Sequence, residues 1–272
     1  MSSDATAPVH NPAADGGAGV LVIIPTYDEY ENLPQIIART LVTLPNANVL
    51  VVDDDSPDGT GKLADELAAS DDRIRVLHRT GKAGLGAAYL AGFRWGLERP
   101  YDVLVEMDSD GSHPPESLVP MLAELAGPKV GLVIGSRWVE GGAIVDWPRS
   151  RELLSRAANI YARAALGIRV KDATGGFRAY PAAVLRSIEL SGIDHEGYCF
   201  QVDLTLRVLS ANFRVAEVPI IFREREFGVS KMSGNIVVEA MVKVTAWGIG
   251  RRASQLRHLF GSRASAPGSS SL

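Results

Sequence analysis

The sequence predicts an α/β fold, in which a mostly parallel β-sheet is flanked by helices and an interfacial helix lies near the C-terminus. Short continuous apolar runs alternate with segments of helical periodicity, as in sheets whose strands are buried on both faces. The order of these segments, strand then helix then strand, is that of βαβ units. With 272 residues and 46% hydrophobic composition, the chain is long enough to bury a large core.

The first predicted strand, Val20–Ile24, is apolar throughout and ends at Pro25. The other apolar runs predict strands over 49–52, 74–77, 103–105, 132–134 and 214–222. Residues on one helical face predict helices over 33–44, 63–69, 84–97, 118–125, 153–166 and 198–211. We expect a loop over 137–148 and a long helix that begins near Ile236.

Composition divides the chain into four regions. Residues 1–19 and 261–272 are rich in Ala, Ser, Gly and Pro, which predicts a disordered leader and a disordered tail. The main α/β domain is expected over 20–232, and an amphipathic basic helix over 233–260. We see no signal peptide and no run of about 18 apolar residues, so a membrane-spanning helix is not expected.

Charge is unevenly distributed along the sequence. The net charge is −4, but the part from Arg223 onward contains eight Lys or Arg against three Glu. This basic end suggests contact with phosphates or a lipid surface, although a solvated helix face would give the same pattern. The weakly acidic whole argues against a general nucleic-acid binder. A single cysteine, Cys199, excludes an intramolecular disulfide and a multi-cysteine zinc site.

Three predicted strands end in polar clusters that contain acids, at 25–29, 53–58 and 108–110. Ligands of open α/β sheets bind at the carboxyl ends of the strands, so these clusters indicate a site. Several carboxylates at one sheet edge repel each other, and a bound cation would relieve that repulsion. The alternative is that the acids cap the helices that follow them.

The Asp108-Ser109-Asp110 segment is the most informative of the three clusters. Alternate residues of an extended chain point the same way, so both carboxylates can reach one cation. An all-oxygen ligand set favours Mg²⁺ or Mn²⁺ over zinc. His113 could act as a ligand or a base, but a turn histidine is the simpler interpretation. The Gly81–Gly86 segment matches neither a Walker loop nor a dinucleotide fingerprint.

Several motifs together resemble the family 2 glycosyltransferases of the GT-A fold, and within them the dolichyl- and polyprenyl-phosphate mannose synthases. The resemblance runs from about Val20 to about Val244. It is carried by Pro25–Pro34, Val52–Thr60, Met107–Glu116, Gly135–Arg137, Asp172–Arg178, Gly197–Gln201 and Val218–Lys231. It implies transfer of mannose from GDP-mannose to a polyprenyl monophosphate, with inversion at the anomeric carbon.

The resemblance also assigns roles to residues of this chain. It implies contact with the nucleoside by Pro25, Tyr27, Glu29, Val52 and Asp54. It places the divalent cation, Mg²⁺ or Mn²⁺, on Asp108 and Asp110, and the diphosphate beside Ser109. Contacts with the phosphates or the sugar are implied for Arg137, Arg225 and Lys231, and contact with the acceptor phosphate for Arg151 and Ser155. Catalysis would then depend on Asp110, Arg225 and Lys231.

This sequence departs from the family pattern in three ways. Asp55 and Ser112 stand where relatives often have other residues, and Ser112 would make a weaker metal ligand than the Gln of some relatives. We also expect no C-terminal transmembrane helices of the kind that many relatives have. We therefore expect peripheral attachment to the cytoplasmic face of the membrane, through the basic terminal helix, a membrane-embedded partner, or both.

Two other functions are compatible with the same sequence. The framework could instead use UDP-glucose and make polyprenyl-phosphate glucose. A non-catalytic membrane adaptor is a further alternative, although intact Asp108, Asp110, Arg225 and Lys231 argue against it.

Overall fold

The apolar runs of the sequence form the centre of a seven-stranded sheet in the computed structural model, which describes residues 12–193, 199–224 and 241–249. The strands of this sheet are β1 (Val20–Thr26), β2 (Asn48–Asp53), β3 (Ile74–His78), β4 (Val103–Glu106), β5 (Val130–Ser136), β7 (Arg178–Pro181) and β8 (Arg214–Pro219). They lie in the order β3-β2-β1-β4-β7-β5-β8. All neighbours pair in parallel except β7, which is antiparallel to both β4 and β5.

Helices cover both faces of the sheet, as the strand–helix order predicts. They are α1 (Leu33–Thr43), α2 (Thr60–Ser70), α3 (Leu85–Leu97), α4 (Leu118–Leu125), α5 (Arg149–Leu166), α6 (Ala182–Ser187) and α7 (Cys199–Ser210), with a helix over 241–249. One core layer packs α1, α2 and α4 against the sheet, and the other packs α3, α5, α6 and α7. The predicted fold class is therefore confirmed, and the strands of its centre are buried on both sides.

The prediction was wrong in the second half of the sheet. The run 214–222 is not one strand, because β8 ends at Pro219 and β9 (Ile221–Arg223) pairs in parallel with β6 (Ala143–Val145) in a second, two-stranded sheet. The N–H of Ile220 donates to the Ser136 carbonyl at 3.0 Å, and its own carbonyl accepts from Ala143 at 3.0 Å. This residue thus connects the two sheets, and the loop expected over 137–148 contains a strand.

Residues 12–19 also differ from the disordered leader expected over 1–19. The Asn46 N–H donates to the Gly16 carbonyl at 2.8 Å, and the Asn46 side chain donates to the Asp15 carbonyl at 2.9 Å. The Gly19 carbonyl accepts from the Asp102 N–H at 2.8 Å. Composition alone does not show these hydrogen bonds, which hold the segment on the domain.

Of the amphipathic helix expected over 233–260, the structure describes only 241–249, and the tail expected over 261–272 lies outside the described residues. This short helix buries Val244 against the domain, and the Thr245 hydroxyl bonds the Tyr161 hydroxyl of α5. Across the described ranges, no helix combines the length and the apolar character needed to cross a membrane.

Candidate active site

The three polar clusters predicted from the sequence lie at one edge of the sheet. Parallel pairing brings Thr26 of β1 opposite Asp53 of β2, and Ile23 of β1 opposite Glu106 of β4. The segments that follow β1, β2 and β4 therefore leave the sheet side by side at the carboxyl ends of the strands. This is the position at which open α/β sheets bind ligands.

Hydrogen bonds from neighbouring residues satisfy two carboxylates of the second cluster. Asp53 accepts from the Thr26 hydroxyl at 2.9 Å and from the Ser56 hydroxyl at 2.6 Å. Asp58 accepts from both the hydroxyl and the N–H of Thr60, at 2.6 and 2.9 Å, where α2 begins. Local donors rather than a cation therefore compensate these two acids; Asp58 bonds the first residue of α2, whereas Asp53 bonds no described residue of a helix.

The predicted nucleoside-binding residues lie on the adjoining ends of β1 and β2. Pro25 and Val52 are paired neighbours in the buried sheet. The ammonium of Lys82 lies 3.7 Å from the centroid of the Tyr27 ring, which is the geometry of a cation–π contact. The backbone N–H of Glu29 donates to the α2 hydroxyl of Thr60 at 3.0 Å. These contacts fix the strand ends as one wall of the site.

Asp54, the remaining predicted nucleoside ligand, is buried in the same wall. Its carboxylate accepts from Arg79 at 2.6 Å and is only 5% exposed. Burial raises the pKa of Asp54, and the guanidinium of Arg79 opposes that rise. The second cluster therefore carries less net negative charge than the sequence suggests. The carboxylates that would favour a bound cation are therefore those that follow β4, Asp108 and Asp110.

The two aspartates after β4 are held by different groups. The Tyr89 hydroxyl donates to Asp108 Oδ1 at 2.8 Å, from the first turns of α3. Asp110 accepts from the Ser112 N–H at 3.1 Å and is 7% exposed. Ser109, between them, is buried. Both carboxylates are thus oriented by neighbours before any ligand arrives.

Negative charge accumulates around Tyr89. Burial raises the pKa of this phenol well above its usual value, and the carboxylates of Asp108, Glu106 and Asp110 raise it further. Burial also raises the pKa of Glu106 to about 7. A divalent cation would be favoured in such a field.

The donors present fit Mg²⁺ or Mn²⁺. Both ions accept oxygen ligands, and Mg²⁺ commonly takes one or two carboxylates and completes its shell with water and substrate phosphates. Within the described ranges, no group of three or more His, Cys, Asp or Glu side chains forms a closed metal cage. Asp108 and Asp110 would therefore hold the ion together with the substrate.

His113 is a structural residue of this turn, as the simpler interpretation of the sequence suggests. The backbone N–H of Asp108 donates to His113 Nδ1 at 3.0 Å, so this nitrogen carries no proton. The ring stacks on Phe177 with centroids 5.1 Å apart and is 2% exposed. No local pattern in the sequence indicates the role of Tyr89, because its bond to Asp108 joins two elements that only the fold brings together.

The predicted phosphate ligand Arg137 forms a buried ion pair. Its guanidinium donates to both oxygens of Asp172, at 2.6 and 2.8 Å, and to the Thr174 hydroxyl at 3.2 Å. This pair joins the end of β5 to the segment before β7. The observed geometry assigns Arg137 a structural contact, and its contact with a phosphate stays a prediction.

The predicted acceptor residues lie on α5. Arg151 donates to Glu224 at 2.6 Å and stacks over the Trp147 ring at 4.0 Å. Ser155 follows one turn later on the same helix. Arg225 and Lys231 lie outside the described residues, but Glu224 is the neighbour of Arg225 in the chain.

One cavity connects the acidic turn, residues 108–110, with the start of the basic segment, residues 223–231. Its volume is about 380 Å³, and Ser109, Asp110, Asp146, Arg223 and Glu224 are among its lining residues. The carboxylate of Asp110 and the chain that leads into Arg225 therefore face the same space. Cations beside a carboxylate-bound metal would suit a diphosphate-bearing ligand.

Comparison with known proteins identifies the family. The profile described as Glycosyl transferase family 2 matches residues 21–188. The chain is 58% identical over 238 residues to the polyprenol monophosphomannose synthase of Mycolicibacterium smegmatis, which covers 87% of this chain and 89% of that protein. It is 57% identical over 242 residues to the undecaprenyl-phosphate mannosyltransferase of Micrococcus luteus, covering 89% of this chain and 99% of the relative.

More distant matches agree with this assignment. The dolichol-phosphate mannosyltransferase of Pyrococcus furiosus is 39% identical over 224 residues, which is 81% of this chain and 61% of that protein. Among solved structures, glucosyl-3-phosphoglycerate synthase from Mycobacterium tuberculosis with Mn²⁺, UDP-glucose and phosphoglyceric acid superposes with a TM-score of 0.61 at 21% identity, over 91% of this chain and 86% of the other. That likeness shows the shared GT-A fold. The chain belongs to glycosyltransferase family 2, as an inverting glycosyltransferase related to the polyprenyl-phosphate mannose synthases.

Proposed function

We propose that this protein transfers mannose from GDP-mannose to a polyprenyl monophosphate, with inversion, and so makes polyprenyl-phosphate mannose. The names of the relatives supply the sugar and the lipid acceptor. The observation that carries the proposal is the position of Asp110, in the same cavity as the start of the basic segment. Asp110 would bind a divalent cation, and the basic segment would supply Arg and Lys side chains beside it. Together they match the phosphates of a sugar nucleotide and of a phosphorylated acceptor.

In this proposal the chain's residues mainly position charged groups. The ends of β1 and β2, with Tyr27 and Asp54, hold the nucleoside. Asp108 and Asp110 hold Mg²⁺ or Mn²⁺, which supplies Lewis-acid stabilisation of the leaving diphosphate. The acceptor phosphate is already anionic near neutral pH, so it needs orientation rather than a general base.

The cationic residues complete the site in the same proposal. Arg225 and Lys231 clamp the anionic groups of donor and acceptor, and Arg137 stands beside the donor sugar or its phosphates. Arg151 and Ser155 receive the acceptor phosphate. Support for this placement comes from Glu224, which is bonded to Arg151 and precedes Arg225 in the chain.

We further propose that the protein works at the cytoplasmic face of the membrane as a peripheral protein. Its lipid acceptor requires a membrane surface, and the basic end of the chain provides electrostatic attraction to anionic lipids, which are enriched in the cytoplasmic leaflet. The short helix over 241–249 exposes Met241, Val242 and Ile249. Attachment would use this helix, a membrane-embedded partner, or both.

The test is a direct assay of the purified chain. We would incubate it with polyprenyl phosphate, Mg²⁺ or Mn²⁺, and either GDP-mannose or UDP-glucose, and analyse the lipid product by mass spectrometry. A polyprenyl-phosphate hexose formed only from GDP-mannose supports the proposal. Product formed from UDP-glucose instead would identify a glucose synthase, and no product from either donor would support an adaptor.

Variants of the acidic turn test the role of the metal ligands. Asp110→Asn removes a charge without changing the size of the side chain. We expect the rate of transfer to fall by about 100-fold or more, while the thermal midpoint stays unchanged. Asp72→Asn, at the amino end of β3, makes the same change on an exposed turn and should keep full activity. Near-normal transfer by folded Asp110→Asn would remove the metal from the mechanism.

A separate variant tests the basic segment. We expect Lys231→Ala to lower turnover sharply, because a charge clamp on the reacting phosphates would be lost. A turnover equal to that of the unmodified chain would give this segment a structural role only.

A further inference from the structure

A second cavity lies at the opposite edge of the sheet from the acidic turn. Its volume is about 490 Å³, and it is formed where β1, β2 and β3 begin and where α3 ends. Arg75, Trp95, Arg99 and Tyr101 are among its lining residues, and no carboxylate lines it within the part of the chain that the structure describes. None of these residues belongs to the proposed transfer site.

Contacts between the side chains of this cavity hold them in place. The guanidinium of Arg99 lies 3.7 Å from the centroid of the Trp95 ring, and its Nη1 donates to the Trp95 carbonyl at 2.6 Å. The rings of Trp95 and Tyr101 stack with centroids 6.2 Å apart. Side chains that are already ordered lose less entropy when a partner binds. Trp, Tyr and Arg are also the residue types that contribute most to protein–protein binding.

The positive charge of the cavity is weakly compensated. Arg75 forms no ion pair with any described residue, and its side chain donates only to the Ile74 carbonyl there, at 3.1 Å. Arg99 lies 3.8 Å from Glu98, whose side chain is 77% exposed, and an ion pair this exposed contributes little. Burial raises the pKa of the Tyr101 phenol, and both guanidinium groups oppose that rise. Both positive charges therefore act on the same place.

The cavity adjoins an open edge of the sheet, because β3 is its outermost strand on this side. Alternate residues of β3 turn their backbone groups toward β2. The Arg73 carbonyl accepts from the Val49 N–H at 2.9 Å, so the odd-numbered residues face β2. The backbone N–H and C=O groups of Val76 and His78 face outward, and they form no hydrogen bond with any described residue.

The charge of this edge limits what can pair with it. An extended peptide can add to an open edge as a further strand. Residues 73–79 contain three arginines and no acid, so a second copy of β3 would place like charges beside each other. The terminal segments of the chain do not complement this charge, since 1–11 contains one acid and 250–272 contains four arginines and no acid. An acidic segment of a different protein fits the edge best.

We propose that the edge at Val76 and His78, together with the adjoining cavity, binds an extended acidic segment of another protein. The backbone of this segment would pair with the outward groups of the two residues and add an eighth strand to the sheet. Its carboxylates would accept from Arg75 and Arg99. Arg75 directly precedes Val76 and lines the cavity, so it joins the two parts of the site. The proposal does not depend on which sugar or acceptor the protein uses.

The test is an NMR titration of the isotope-labelled full chain with synthetic heptapeptides whose ends are blocked. One peptide alternates glutamate with valine, and its control alternates lysine with valine. Arg75→Gln with Arg99→Gln removes two cations from the cavity. The matched control, Lys129→Gln with Arg214→Gln, removes the same charge where β5 and β8 begin, and β8 is the outermost strand on the other side of the sheet.

We expect the glutamate peptide to bind the unmodified chain and the lysine peptide not to bind. The cavity variant should bind the glutamate peptide about tenfold less tightly, from about threefold for each exposed ion pair, whereas the control variant should bind it as the unmodified chain does. The glutamate peptide with an N-methylated backbone should not bind, because it cannot donate to the strand edge. Failure of the glutamate peptide to bind, or equal affinities of the two variants, would overturn the proposal.

Amide hydrogen exchange separates strand addition from simple attraction between charges. The N–H groups of Val76 and His78 should exchange more slowly when the glutamate peptide is bound. Those of Arg75 and Leu77 face β2 and should change little. Unchanged exchange at Val76 and His78 with the peptide bound would also overturn the proposal.

A single variant keeps the test decisive if the double variant unfolds. Arg75 is exposed, and Arg75→Gln alone leaves the stacked Arg99, Trp95 and Tyr101 in place. We expect about a threefold loss of affinity for the glutamate peptide in this variant. No loss in the folded single variant would count against the site.

Discussion

Replacement of Arg178 by methionine should destabilise the fold strongly, because the guanidinium of this residue bridges several buried acceptors. Arg178 is fully buried in β7 and donates to the Gly175 carbonyl at 2.6 Å and to the Ala173 carbonyl at 2.7 Å. It also donates to the Gln201 carbonyl at 2.8 Å and to the Thr205 hydroxyl at 3.0 Å. One guanidinium thus ties the segment before β7 to helix α7.

The cost follows from the groups that would lose their donor. The Gln201 carbonyl keeps the Thr205 hydroxyl as a partner, but the Ala173 and Gly175 carbonyls would lose the Arg178 donor. Each orphaned buried carbonyl costs about 1–3 kcal/mol, and part of this is offset because the cation no longer has to be buried. We therefore expect a loss of about 4 kcal/mol, a large share of a typical total stability of about 5–15 kcal/mol.

Urea unfolding at neutral pH, followed by circular dichroism, would measure this loss. Arg186→Met is the matched control, because Arg186 is exposed and its side chain donates to the Leu97 carbonyl at 3.1 Å. Its variant should change stability by less than about 1 kcal/mol. Equal, small losses in both variants would refute the idea that Arg178 holds this part of the fold.

Three further predictions concern the sheet and the site. Tyr89→Phe should weaken Mn²⁺ binding about fivefold, since Asp108 loses an orienting hydrogen bond of 2.8 Å; unchanged affinity in a Mn²⁺ titration would contradict this. Burial raises the pKa of Glu106 from 4.5 to about 7, so its favourable protonated form is lost as pH rises through that range. Without metal, the free energy of unfolding of Glu106→Gln should therefore rise by about 3 kcal/mol relative to that of the unmodified chain between about pH 5 and pH 8. A difference in stability that is the same at both pH values would contradict this. In Gly92→Ala the new Cβ would lie 2.5 Å from Ile23 Cγ2, so the free energy of unfolding measured with urea should fall by about 1–3 kcal/mol. An unchanged free energy would show that the core rearranges there without cost.

Local pattern was sufficient for the strands at the centre of the sheet and for most helices. An apolar run that is buried on both faces is visible in the sequence itself, as in 20–24 and 49–52. The local pattern did not predict β7, because the Arg178–Pro181 segment has neither the length nor the apolar character of a central strand. Its strand partners are β4 and β5, and Arg178 also bonds Gln201 and Thr205 of α7, so no local window contains all of these bonds.

The site shows the same division. The sequence indicated that acids follow three strands, and parallel pairing places those strand ends together. It did not separate the acids by role: Asp53 and Asp58 bond local hydroxyls, Asp54 pairs with Arg79, and the pair after β4 fits a cation. That distinction depends on which donor lies within hydrogen-bond distance of each carboxylate.

The amino-acid sequence alone determined the fold class, the edge of the sheet that carries the site, and the residue types available for metal and phosphate. The tertiary structure decided which charges remain available for a ligand. Asp172, 35 positions along the chain from Arg137, accepts two hydrogen bonds from its guanidinium, and Arg79 likewise pairs with Asp54. The reason is physical: periodicity records burial along one element, whereas charge compensation depends on distances of a few ångströms between elements that only folding brings together.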